Sequence, residues 1–151
     1  MATKTASPSK QLAGFLDRFS PAIVKVAKAA RAKFRTRLPG AVEMVYDNFN
    51  ALVIGYSPTD RPSDAIVSLG LYPRWVNLYF LQGAHLADPQ RLLTGSGNQV
   101  RFIRLDPGAA ILDTPAVRAL VSEAIAFGET PFTGKGCLVI RAIARKRRPR
   151  R

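Results

Sequence analysis

Glu43 and Asp47 stand four residues apart with Tyr46, Asn48 and Asn50 around them. In a short helix this spacing puts both carboxylates on one side, where they could do acid–base work or hold a hard cation. A second polar set follows downstream. Ser68, Tyr72, Trp75, Asn77 and Tyr79 fall on one side of an alternating pattern, and an aromatic wall with a few amides and hydroxyls is how small-molecule pockets are built. The competing reading is a set of aromatic residues packed beneath a helix. His85, the only histidine, follows Gly83-Ala84 in a loop, where it is either an ordinary surface residue or one that orients an anion.

Several chemistries are excluded or disfavoured by the residue inventory. One histidine cannot build a histidine metal cage, and the single Cys137, set in an apolar run, reads as a buried structural thiol. The segment Gly128 to Gly136 departs from a phosphate-binding P-loop, with five residues between the first glycines and Gly136 where a hydroxyl belongs. Gly95-Ser96-Gly97 leads into a strand pattern, so it reads as a tight turn rather than a dinucleotide loop. No nucleophile, base and orienting partner can be named together, which favours a non-catalytic module with no cofactor and no metal.

The elements that position these residues follow from periodicity. Residues 1–10 are small and polar and read as a disordered lead-in. A short helix is expected over Gln11 to Phe19. Ser20 reads as an N-cap with Pro21 at the first helical position, opening a helix to about Arg37. Its apolar side is Ile23, Val26, Ala27, Ala30 and Phe34. After Pro39-Gly40, Ala41 to Tyr46 reads as a further short helix. Strand patterns cover Leu52 to Tyr56, Ala65 to Tyr72, Arg74 to Gln82, Asn98 to Leu105 and Cys137 to Ile143, with the first three connected too briefly for crossover helices. Asp113-Thr114-Pro115 starts a helix over Ala116 to Phe127. The expected fold is α+β: an antiparallel sheet of about five strands, with N-terminal and C-terminal helices covering one face. Residues 11–143 form the single domain and 144–151 a basic flexible tail.

The net charge of +13 is unevenly placed. Residues 1–38 carry nine Lys and Arg against Asp17; residues 39–130 carry six Arg against nine acids; residues 131–151 carry eight Lys and Arg and no acid. A partner drawn by charge would therefore meet the ends of the chain, in particular Lys25, Lys28, Arg31 and Arg35 together with Arg145, Lys146, Arg147, Arg148, Arg150 and Arg151. The tail has no interleaved aromatic residue to stack on bases, so it reads either as a contact for nucleic acid or another polyanion or as a solvated, solubilising end. Residues 1–10 hold no apolar stretch of signal-peptide type, and no run approaches the ~18 apolar residues of a membrane span. A cytoplasmic protein without membrane association, monomeric or homodimeric, is the expectation.

The stretch from Leu69 to Leu105 carries a further signal. Tyr72-Pro73, Val76-Asn77-Leu78-Tyr79-Phe80, Gly83-Ala84, Leu86, Asp88-Pro89, Leu92-Leu93, Gly95, Gly97 and Arg101-Phe102-Ile103-Arg104-Leu105 together resemble a bacterial family known as domain of unknown function 1801, the YdhG-like group. The resemblance covers roughly residues 11–126 and implies a YdhG-like α+β fold. One branch of that family is associated with frataxin-like iron handling, which implies an intracellular iron chaperone-like role as an alternative. That role wants a dense acidic surface, whereas the ten acids of this chain are scattered. The reading that joins these observations is a binding or accessory module whose small ligand contacts Glu43, Asp47, Asn50, Trp75, Asn77, Tyr79 and His85.

Overall fold

The computed structural model describes residues 6–48, 51–128, 130–132, 134 and 136–143. Its elements in chain order are helices α1 (Pro8–Leu16) and α2 (Pro21–Arg37), strands β1 (Val42–Asp47), β2 (Leu52–Ser57), β3 (Val67–Leu71), β4 (Val76–Phe80) and β5 (Arg101–Arg104), helix α3 (Pro115–Gly128) and strand β6 (Cys137–Ile143). The fold is α+β, as expected. The six strands lie in the order β5-β4-β3-β2-β1-β6. Neighbours from β1 to β5 pair antiparallel, while β6 pairs parallel with β1. The sheet is thus mixed, because α3 returns the chain to the edge opposite β5 and sets β6 there parallel to β1, and it has one strand more than predicted, because residues 42–47 form β1.

Local chemistry explains the helices. Ser7 Oγ accepts from Lys10 N at the start of α1, which begins within the predicted lead-in. The same device opens α2, where Ser20 Oγ accepts from Ile23 N at 3.4 Å and Pro21 needs no hydrogen-bond partner. Before α3, Thr114 Oγ1 accepts from Val117 N.

All three helices cover the same face. Leu12 and Phe15 of α1, Ala27, Ala30 and Phe34 of α2, and Val117, Leu120 and Ala124 of α3 share one core with Val45, Ile54, Leu69, Leu78 and Ile103. Those five strand residues are the middle rung of β1 to β5, consistent with the cross-strand register. Adjacent rungs place Met44, Gly55, Ser68, Tyr79 and Phe102, and then Tyr46, Val53, Gly70, Asn77 and Arg104, on the opposite side.

Residues 41–46 correct the expected short helix, for they form most of β1. Val42, Val45 and Tyr46 favour a pleated surface, but the helix-covered side of this strand reads Glu43, Val45, Asp47. Two carboxylates on the buried side conceal the alternation that normally announces a strand. No described helix is long and apolar enough to cross a membrane.

Candidate functional site

A period of two returns Glu43 and Asp47 to one side of the chain just as a helical spacing would, and β1 turns both toward the helices. Both side chains are buried. Arg31 of α2 donates from Nε to Glu43 Oε2 at 2.9 Å and from Nη2 to Oε1 at 3.1 Å. Tyr56 Oη, from the neighbouring β2, donates to Glu43 Oε2 at 2.8 Å. Burial and the Glu43 charge raise the Tyr56 phenol well above its ordinary pKa, so it stays a donor. Arg18, just beyond α1, closes Asp47 in the same forked manner, at 3.1 and 2.7 Å. These two arginine–carboxylate forks tie the helix layer to β1.

The uncovered face carries the second set. Tyr72 and Tyr79 place their hydroxyls 2.7 Å apart. Burial, reinforced by that hydrogen bond, pushes the Tyr72 phenol up to about 12. Asn77 Nδ2 donates to Tyr79 Oη at 3.3 Å, while Asn77 Oδ1 is buried with no partner among the described residues. Turning the amide over would leave its NH2 unpaired instead, so one polar end stays unmatched either way. Trp75 is 38% exposed and has the Arg104 guanidinium 4.5 Å from its ring centroid. Tyr72 lies 6.2 Å from the Trp75 ring, and Phe102 lies 5.5 Å from Tyr79. Gly70 is the floor of this group: a Cβ there would come within 2.7 Å of the Tyr79 ring and 3.2 Å of Tyr72.

The single site expected from the sequence is therefore two sites on opposite faces of the sheet. Glu43 and Asp47 belong to the helix side; Trp75, Asn77 and Tyr79 belong to the open side, which no helix of the shared core covers. His85 joins neither set, since its ring stacks on Phe127 of α3 with centroids 5.2 Å apart. Asn50 lies outside the described residues, as do residues 144–151.

The basic residues divide too. Lys25 and Lys28 are exposed on α2, whereas Arg31 is committed to Glu43. Arg35 stands 3.7 Å from the same carboxylate with its side chain 62% exposed. Cys137 is exposed at the start of β6, not buried, because β6 is an edge strand. The glycine-rich segment after α3 runs from helix to strand, the reverse of a phosphate-binding loop.

Sequence reasoning missed Arg18, Tyr56, Gly70, Phe102 and Arg104. Phe102 and Arg104 alternate along β5, so a correct register against Tyr79 and Asn77 would have found them. Arg18 and Tyr56 carry no such signal, because their partners are known only once β1 is recognised as a strand. Among the described residues no group of three or more His, Cys, Asp or Glu gathers in a way that could hold a metal ion. Comparison with protein-family models, with curated proteins and with solved structures returned no match.

Proposed function

We propose that the protein is a non-catalytic binding module that takes a small planar ligand on the open face of its sheet, at Tyr72, Trp75, Asn77, Tyr79, Phe102 and Arg104. The observation that carries this reading is the unmatched Asn77 Oδ1. A buried carboxamide oxygen without a donor costs about 1–3 kcal/mol, and it lies within a group of aromatic rings and hydroxyls. A ring bearing an N–H or O–H donor would satisfy the oxygen while its faces stack on the exposed indole. Arg104, already over Trp75, supplies a cation for an anionic substituent on the ligand.

Trp75 is the only tryptophan, so its fluorescence reports on this face directly. Titration with a panel of heteroaromatic metabolites, with and without ring N–H donors, should give a saturable change for donor-bearing members. Asn77→Leu should abolish that change while raising thermal stability, since it removes an unsatisfied polar group. Absence of any saturable signal across the panel would reject the proposal.

A further inference from the structure

We infer that the cleft between α1, α2 and the start of β6 binds the phosphate group of a small phosphorylated molecule, at a site separate from the open sheet face. The cleft has a volume of about 320 Å3, and Ser9, Arg31, Arg35, Glu43, Tyr56 and Cys137 are among its walls. This is near the small end of ligand pockets, roughly 300–1,000 Å3. A second cavity of about 280 Å3 shares Ser9, Arg31 and Arg35 and adds Lys28.

Among the described residues, the hydrogen bonding in this cleft is incomplete on the cationic side. Both oxygens of Glu43 are taken by Arg31, and one also accepts from Tyr56. Arg31 spends Nε and Nη2 on that carboxylate, which leaves Nη1 without an acceptor among the described residues. The 3.7 Å between Arg35 Nε and Glu43 Oε1 is too long for a hydrogen bond. Glu43 therefore fixes Arg31 in place without satisfying Arg35. Two guanidiniums one helical turn apart thus face the cleft against one carboxylate, and among the described residues the Ser9 hydroxyl adds a donor with no acceptor. The adjoining cavity brings Lys28 and Asp17, one charge of each sign.

A phosphate monoester matches this set. It brings about −1.5 to −2 charge at pH 7 and three strong acceptor oxygens, and guanidinium forks recognise such oxygens in pairs. The limited volume suits a phosphate on a small body.

Cys137 makes the test local, since it is the only cysteine, it is exposed, and it lines the cleft. At constant ionic strength, inorganic phosphate and phenyl phosphate should each slow alkylation of Cys137 by uncharged N-ethylmaleimide in a saturable way, while sodium chloride should not. Arg35→Ala should weaken that protection tenfold or more. Lys25→Ala, which removes an equal charge from the same helix outside the cleft, should change it less than twofold. Because the Arg35 side chain is exposed, the variant should keep the thermal midpoint of the parent. Tighter protection by phenyl phosphate identifies a phosphorylated small molecule, and equal protection identifies the phosphate ion itself; both support the phosphate site. No saturable protection would overturn it. So would protection by heparin or a thymidine oligonucleotide that Lys25→Ala weakens as much as Arg35→Ala, because that is the behaviour of a diffuse basic surface.

Discussion

Arg31 holds Glu43 through two parallel hydrogen bonds, at 2.9 and 3.1 Å, across the junction between α2 and β1. Removing the guanidinium would leave a carboxylate buried with only Tyr56 and the more distant Arg35 to compensate it. Breaking one side of a buried pair costs about 3–5 kcal/mol, while replacing both partners by apolar residues is often close to neutral. Arg31→Met should therefore lower the urea midpoint sharply, and adding Glu43→Met should recover most of the loss. If the single and double variants unfold alike, the pair does not couple the helix layer to the sheet.

Tyr56 sets an alkaline limit on stability. Its phenol is raised by burial and by Glu43, so between the ordinary tyrosine pKa of about 10 and the folded value the unfolded chain loses a proton that the folded chain keeps. The stabilisation is complete below about pH 10 and is lost as pH rises through the folded pKa. Tyr72, pushed up to about 12, acts in the same direction. Urea midpoints measured from pH 8 to pH 11.5 should hold and then fall, and Tyr56→Phe should flatten the fall. A variant with the slope of the parent would locate the alkaline sensitivity elsewhere.

The parts of this fold legible in the sequence are those where one force acts alone. Ser20-Pro21 and Thr114-Pro115 announce helices through capping chemistry, and Val76 to Phe80 alternates in sequence because Val76, Leu78 and Phe80 belong to the core while Asn77 and Tyr79 lie on the other side of the sheet. Residues 41–46 were illegible because two forces act there. The buried side of β1 carries charges, which periodicity reads as solvent-facing, and only arginines 12 and 29 residues away in sequence make that burial tolerable. Strand β6 was found, but its parallel partner was not, since pairing across a helical crossover leaves no local trace. The same non-local pairing divided the candidate site: grouping Asp47 with Asn77 ignored the side of the sheet each one occupies.

Gly70 should tolerate no side chain, although nothing in its backbone demands glycine. A methyl at this position would meet the Tyr79 ring at 2.7 Å and both the ring and hydroxyl of Tyr72 at 3.2–3.3 Å. Overpacking of this kind costs about 1–3 kcal/mol. Gly70→Ala should lower stability by that amount and also change Trp75 emission, because Tyr72 links the two sites. A stable variant with parental emission would mean that the tyrosines move aside freely.

Arg104 and Trp75 test whether the open face is a preformed platform or a loose surface. The guanidinium shields the indole at 4.5 Å, and such an exposed cation–π contact contributes about 0.5–1 kcal/mol. Arg104→Ala should therefore shift Trp75 emission to longer wavelength and increase its quenching by acrylamide, with a stability loss below about 1 kcal/mol. Arg104→Lys should restore little of either, since the ammonium lacks the planar surface that stacks on the ring. Emission and quenching unchanged in Arg104→Ala would show that the arginine does not rest on the indole in solution, and the cation it offers to an anionic ligand would then have no fixed position.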